Sequence, residues 1–171
     1  MTVFVSKTNQ HNLETIFNPP YTLSYRQLKY KTTLKEIDQG DHLTPFPFSC
    51  AKLYHSSENF GYRFNLNNLS IGYSGDTGIN DAGHRLFHNV DLLIHECSLL
   101  PGESLNSWGH VEPREVADFA KKEKVGKLIL THFDADRYTD FARRRFALKE
   151  AKKIFPQTIL AKDDMELYID E

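Results

Sequence analysis

The sequence of 171 residues has few cysteines, no excess of one charge and no long apolar run. Cys50 and Cys97 are too few for a disulfide framework and lack the spacing of a zinc-binding pair, so reduced thiols are expected. No apolar stretch approaches the roughly 20 residues that a membrane-spanning helix needs. The first residues show no charged segment followed by an apolar one, which predicts no signal peptide and a cytoplasmic protein.

Lysine and arginine (21) nearly balance aspartate and glutamate (23), and the net charge is −2. This balance argues against a chain that binds nucleic acid over its whole surface, but it allows a local basic patch. Arg143–Arg145 and the nearby lysines 149, 152 and 153 form such a patch on a predicted helix. Two interpretations stay open: a solvated helix face, or phosphate contacts if the substrate is RNA.

The hydrophobic fraction of 40% suits one globular domain, which is expected to span residues 1–171. The first half contains mostly short segments typical of strands, and the second half alternates apolar strands with amphipathic helices. Predicted strands include Leu23–Ile37 and Met165–Ile169, and predicted helices include Glu112–Lys124 and Tyr138–Phe155. A loop is expected after Ser6 and through Asn18-Pro19-Pro20. The pattern predicts a layered α/β fold.

Polar residues follow the ends of four predicted strands: His55, Asp76, the pair His95-Glu96, and His132. In open α/β sheets, the residues at the carboxyl ends of strands meet in a crevice where ligands bind. Imidazole nitrogens and carboxylate oxygens are the donors that metal ions such as zinc prefer. From the residues alone, a metal site and a set of hydrogen-bonded structural residues stay about equally open.

Five segments of the sequence, in order, resemble motifs of ribonuclease Z, a metallohydrolase of the metallo-β-lactamase fold. They are His55–Arg63, Tyr73–Gly78, His95–Ser98, Gly109–His110 and Leu130–His132. The resemblance runs from about Cys50 to the end of the chain. It implies an α/β, metallo-β-lactamase-type αββα sandwich that is incomplete, with the N-terminal part missing.

The resemblance also implies a role for each matching residue. His55, Asp76 and His132 would be metal ligands, with Asp76 bridging the two zinc ions of the intact family. His110 would act in catalysis, and Glu96 would hold an imidazole such as that of His110. A structural carboxylate bonded to the backbone is an equally open interpretation of Glu96.

The sequence departs from the family in lacking its His-x-His-x-Asp-His motif, because His11 and His42 stand alone. The chain is therefore expected to hold at most one zinc ion weakly and to be inactive, or nearly so, by itself. Outside the motifs, His95 is expected to be a buried structural residue. His84 and His88 are expected on a surface helix without a catalytic role.

The activity that the resemblance implies is metal-dependent hydrolysis of phosphodiesters, most like the endoribonuclease that processes tRNA 3′ ends. The expected partner is RNA or a small phosphodiester substrate, and no membrane. Two alternatives stay open. One is hydrolysis of small cyclic phosphodiesters or thioesters on the same fold. The other is a non-catalytic half-domain that pairs with another chain. Whether the chain forms a homodimer also stays open.

Overall fold

A computed structural model describes residues 1–104 and 107–169 and divides the chain into two compact units, Met1–Gln39 and Gly40–Glu171. The expectation of a single domain stays a prediction. The first unit contains strand β1, helix α1, a short 3-10 helix and strand β2, at Thr2–Ser6, Lys7–Ile16, Tyr25–Gln27 and Thr33–Ile37. Strands β1 and β2 pair in parallel.

Two predictions for the first unit are wrong. The expected loop after Ser6 contains α1, whose first turn is capped because the Ser6 side chain accepts a hydrogen bond from the backbone N–H of Asn9 at 3.3 Å. The predicted strands over Leu23–Ile37 shrink to β2, because the 3-10 helix occupies the start of this range.

The second unit contains seven strands and three helices among the described residues. Strands β3 to β6 are Gly40–His42, Phe48–Leu53, Asn59–Leu66 and Leu69–Tyr73. They are followed by α2 (Asp81–Leu86), β7 (Leu92–Glu96), α3 (Pro113–Lys122), β8 (Lys127–Thr131), α4 (Phe141–Lys152) and β9 (Thr158–Leu160). No helix of the described residues is long and apolar enough to cross a membrane.

The strands of this unit form one mixed sheet in the order β3-β4-β5-β6-β7-β8-β9. Neighbours from β3 to β6 are antiparallel, and neighbours from β6 to β9 are parallel. Two antiparallel reversals separate β4 from β6, so these two strands run in the same direction. The carboxyl ends of β4, β6, β7, β8 and β9 therefore lie along one edge of the sheet, called the site edge below.

Helices and sheet of the second unit share an apolar core, whose fully buried members include Phe87, Leu93, Val116, Leu128 and Leu130. Burial of each large apolar side chain stabilises the fold by about 1.5–3 kcal/mol. Helix α3 starts sharply because Pro113 occupies its first turn and a reciprocal capping box joins Glu112 and Glu115. The predicted α/β fold is confirmed.

The predicted strand Met165–Ile169 is wrong, because this segment is irregular in the structure. Its apolar residues alternate for another reason. Met165, Leu167 and Ile169 line a groove of about 450 Å³ together with side chains of β6, β7 and β8. The period of two thus comes from contact with one face of the sheet and not from pairing with a neighbouring strand.

Candidate active site

The site edge brings together four of the polar segments that the sequence singled out. His55 follows β4, Asp76 follows β6, Glu96 ends β7 and His132 follows β8. The fifth residue, His110, lies three positions before α3 and reaches the same edge through its contact with Glu96. The roles of these residues stay predictions, but the structure places them at one edge, as expected for strands that run in one direction.

The carboxylate of Glu96 is the most firmly fixed group at the site edge. Glu96 is only 1% exposed. Its Oε1 accepts the backbone N–H of Thr77 at 2.9 Å, and its Oε2 accepts the backbone N–H of Ser98 at 3.0 Å. Its own N–H donates to Ser74 Oγ at 3.2 Å. Both carboxylate oxygens are therefore held by the loops that follow β6 and β7.

This carboxylate also contacts the catalytic candidate His110. The distance from His110 Nδ1 to Glu96 Oε1 is 2.6 Å, and the His110 side chain is 16% exposed. An ionised carboxylate accepts the Nδ1–H proton, which fixes the ring tautomer and leaves Nε2 free for another partner. The arrangement gives a partly exposed histidine with one defined proton position.

The backbone around His110 is shaped by a glycine. Gly109 has φ +76°, and a Cβ atom at this position would lie 2.6 Å from the Cα of His55. The neighbouring backbone is tied down as well, because Ser56 N–H donates to the Trp108 carbonyl at 3.2 Å and Leu99 N–H to the Val111 carbonyl at 3.0 Å. Only glycine combines this φ with so close an approach, so Gly109 sets the distance between His110 and the end of β4.

His132 and Asp76 form the second contact at the site edge. His132 Nε2 lies 3.3 Å from Asp76 Oδ1, and the side chains are 52% and 41% exposed, respectively. His132 has φ +51°, a left-handed conformation that is costly for a residue other than glycine. Ser98 Oγ–H donates to the His132 carbonyl at 3.0 Å and so helps to hold this conformation.

His55 completes a row of three imidazole rings. Its ring centroid lies 5.2 Å from that of His110, which in turn lies 6.3 Å from that of His132. His55 Nδ1 lies 3.1 Å from Ser57 Oγ and 3.3 Å from the backbone N of Ser57, so a partner is present for either ring tautomer. With the proton on Nδ1 and donated to Ser57 Oγ, Nε2 offers a lone pair to a metal ion.

The remaining histidines of the second half lie away from this row. His95 is buried as expected, and burial lowers its pKa because the charged imidazolium is desolvated. His84 on α2 and His88 just after it contact the two carboxylate oxygens of Glu123 at 2.6 and 3.0 Å. Partial burial acts to raise the pKa of Glu123, but the hydrogen bonds and charges of the two histidines outweigh it and lower this pKa.

The resemblance to ribonuclease Z implies a metal ion, and the donors of the site edge fit one only in part. His132 and Asp76 supply an imidazole nitrogen and a carboxylate oxygen in contact, which is suitable chemistry. Within residues 1–104 and 107–169, however, no group of three or more histidine, cysteine, aspartate or glutamate side chains is arranged to hold a metal ion. His55, Asp76 and His132 therefore do not form a complete metal centre as they stand.

Sequence reasoning missed several residues that position the site. Thr77 and Ser98 hold Glu96 through their backbone N–H groups, and no side-chain pattern identifies such donors. The sequence also predicted a single basic patch that includes Arg143–Arg145. In the structure only Arg144 lines a cavity beside His132.

Comparison with known protein families gives a match over most of the chain. The model of the β-lactamase superfamily domain matches residues 1–133. Among curated proteins, ribonuclease BN of Escherichia coli O1:K1 is 42% identical over 96 residues, which are 55% of this chain and 31% of that protein. This chain thus spans about a third of the length of the curated relatives it matches.

Solved structures show the same fold. YhfI from Bacillus subtilis, a metallo-β-lactamase fold protein, has a TM-score of 0.75 at 23% identity, over 94% of this chain and 62% of its own. The short form of human tRNase Z has a TM-score of 0.72 at 21% identity, over 99% and 68%. Zn²⁺-bound PqqB from Methylobacterium extorquens has a TM-score of 0.70 at 11% identity, over 99% and 65%. The predicted metallo-β-lactamase-type fold is confirmed.

Proposed function

The chain belongs to the β-lactamase superfamily, and from this premise we propose that it provides part of a metal-dependent hydrolase site for phosphodiesters. The activity would be most like that of an endoribonuclease that processes tRNA 3′ ends. The observation that carries the proposal is the convergence of His55, Asp76, Glu96, His110 and His132 on the site edge. The similarity to ribonuclease BN over 96 residues supports RNA as the substrate.

We assign the proton-transfer step to the His110–Glu96 pair. Glu96 keeps the proton of the imidazole on Nδ1, so Nε2 is the atom that exchanges a proton with the substrate. A general acid at this position would protonate the leaving oxygen of the phosphodiester. The two backbone N–H groups that donate to the Glu96 carboxylate support this role because they keep it from rotating with the histidine.

Zinc is the proposed cofactor, and His55, Asp76 and His132 are its proposed ligands in this chain. When bound, zinc supplies Lewis-acid stabilisation of charge on the phosphate and lowers the pKa of a bound water. The half-exposed contact between His132 and Asp76 leaves both donors open to solvent. Further ligands would come from other residues of this chain, from a second copy or from another chain.

A non-catalytic half-domain is the second candidate, and one observation favours it. Among residues 1–104 and 107–169, no three metal donors are grouped closely enough to hold an ion. Under this alternative the chain would pair with another chain that supplies the missing donors. A homodimer is one form of such a pair.

Hydrolysis assays with matched variants test the proposal. The purified chain, with its mass verified, is incubated with zinc and either an activated phosphodiester, an RNA with a 3′ extension or a thioester. We expect only trace turnover of the phosphodiesters, far below the rate of an intact enzyme, that falls by about 10²-fold or more in His110→Ala, the usual contribution of a general acid or base. His84→Ala is the control and should keep the wild-type rate.

Three outcomes would contradict the proposal. Turnover that survives His110→Ala points to a contaminating enzyme. Turnover of the thioester alone supports the other hydrolase chemistry of this fold. No turnover of any substrate, with zinc and with RNA, supports the non-catalytic alternative.

A further inference from the structure

A cavity of about 620 Å³ opens beside His132 at the site edge. Its walls are the carboxyl end of β8, the first turn of α4 and the segment that follows β9. His132 belongs to both the cavity and the candidate active site, so a molecule bound in one would lie next to the other. The volume is in the range of pockets that take small ligands.

Arg144 is the cavity residue with an unsatisfied donor. Its Nε atom is buried and has no hydrogen-bond partner among the described residues. The guanidinium carbon lies 5.7 Å from the centroid of the Phe133 ring, which holds the group in place. A buried N–H without an acceptor costs free energy, and an anion in the cavity would supply the acceptor.

Two nearby arginines, Arg143 and Arg137, differ from Arg144 in their pairing. Arg143 lies 3.8 Å from the carboxylate of Asp140, and Arg137 lies 3.0 Å from Glu103 and 2.6 Å from Asp134. In the part of the chain that the structure describes, no carboxylate pairs with Arg144. Its charge and its hydrogen-bonding capacity therefore remain available to a ligand.

Lys162 and Phe141 add a second cation and an exposed ring to the same cavity. Lys162 Nζ and the guanidinium carbon of Arg145 lie 5.9 and 5.6 Å from the centroid of the Phe141 ring, and Phe141 is 44% exposed. The carboxylate of Asp163 also lines the cavity, so two cations face one anion there. Two cations beside an exposed aromatic ring suit a nucleotide, whose phosphate takes the charge and whose base stacks on the ring.

We propose that this cavity is a nucleotide subsite, in which Arg144 and Lys162 bind a phosphate group and Phe141 stacks on the attached base. The inference rests on the proposed function, because it places the nucleotide next to the phosphodiester that reacts at the site edge. Arg144 and Phe141 thereby become positioning residues for the substrate.

Nuclear magnetic resonance of the whole chain, kept free of metal with a chelator, tests the subsite directly. Adenosine 5′-monophosphate, inorganic phosphate and adenosine are titrated separately. We expect adenosine 5′-monophosphate to shift the amide resonances of Thr131, Phe133 and Ala161 and to bind more tightly than either of its parts. Shifts confined to the residues around His55 and His110 would overturn the proposal.

Variants of α4 separate a specific contact from general attraction by charge. Arg144→Ala should weaken the binding of the monophosphate about tenfold, as expected for loss of a hydrogen bond to a charged group. Lys149→Ala, on the same helix but exposed and outside the cavity, should leave it unchanged. Equal weakening by the two variants would overturn the proposal.

Two more measurements cover the base and RNA. Phe141→Ala should weaken the binding of the monophosphate but not the binding of inorganic phosphate. An equal effect on both affinities would contradict the stacking contact. For a short single-stranded RNA, Arg144→Ala should reduce the slope of log K against log salt by about 0.7, the value for one lost phosphate contact. An unchanged slope would contradict the phosphate contact.

The chelated sample separates the fate of the subsite from that of the proposed function. Nucleotide binding in the cavity without any zinc-dependent hydrolysis would support the subsite and contradict the function. Hydrolysis of RNA with the same KM in Arg144→Ala and wild type would support the function and contradict the subsite.

Discussion

Two histidine–glutamate contacts in the second unit have the same length and different surroundings. The distances from His110 Nδ1 to Glu96 Oε1 and from His84 Nδ1 to Glu123 Oε1 are both 2.6 Å. The Glu96 side chain is 1% exposed and is anchored by backbone N–H groups at the ends of two strands. The Glu123 side chain is 13% exposed and is shared with a second histidine.

The difference shows that a short contact between an imidazole and a carboxylate does not identify a functional site. At the site edge, the carboxylate is fixed by the sheet, and the histidine next to it faces a small cavity of about 170 Å³. At Glu123, the contacts join the region of α2 to the end of α3, and both histidines share the one carboxylate. We interpret the first pair as functional and the second as structural.

The largest expected effect comes from removing the two carboxylates. Glu96→Ala would leave two buried backbone N–H groups and an imidazole without an acceptor, so the free energy of unfolding should fall by about 3–5 kcal/mol. Glu123→Ala should lower it by about 1 kcal/mol or less because its partners reach solvent. Denaturant unfolding of both variants measures the two changes. Similar losses would remove the distinction between the pairs.

The next largest effect tests how closely the backbone approaches at the site edge. Gly109→Ala should cost about 2–4 kcal/mol of unfolding free energy, because it adds a clash with the His55 backbone to the cost of a left-handed φ. Gly102→Ala is the matched control, since Gly102 has φ +87° and nothing within 4 Å of its added Cβ. Its cost should be only the conformational part, about 1–2 kcal/mol. Equal costs would show that the contact to His55 does not constrain Gly109.

A smaller effect concerns the strained backbone of His132. His132→Gly should raise the free energy of unfolding by about 1 kcal/mol, because glycine adopts a positive φ without steric cost. Lys124→Gly, at φ +56°, should give a similar gain. Only the first variant should also lose zinc binding. A loss of stability in His132→Gly would contradict the interpretation that this residue is held in a costly conformation.

The smallest effect is the pH dependence at Glu123. Its pKa is lowered in the folded state, so its contribution to stability is present above the unfolded pKa, about 4.3 for glutamate, and is lost as the pH falls through the folded pKa. Glu123→Gln should therefore flatten the loss of stability in acid, by less than about 1 kcal/mol. Urea unfolding from pH 6 down to pH 3 measures it. If the variant lost stability more steeply in acid than wild type, the predicted direction of the effect would be wrong.

The sequence predicted the second unit better than the first, and the reason is physical. Strands β7 and β8 are apolar runs, because both faces of the sheet are covered there, and such runs stand out. Helix α1 was missed because none of its residues is buried, so it has no apolar stripe. Helix α3, with a buried face, was predicted almost to its bounds.

The candidate site was predictable as a set of residues but not in its connections. The motifs named His110 and Glu96, and the distance between them agrees with the expected contact. The backbone donors of Glu96 depend on how two loops fold, which side-chain patterns do not encode. The separate position of Arg144 depends on the rotation of α4 against the end of β8, which the run of three arginines conceals.

Zinc binding by the purified chain and three variants tests the central claim most directly. Titration calorimetry and metal analysis, on samples of verified mass, compare wild type with His132→Ala, Asp76→Asn and the double variant His84→Ala/His88→Ala. The account predicts at most one weakly held zinc ion, lost in the first two variants and kept in the double variant. The account would be contradicted if zinc binding were lost in the double variant and kept in His132→Ala and Asp76→Asn. The metal would then be bound beside Glu123 and not at the site edge.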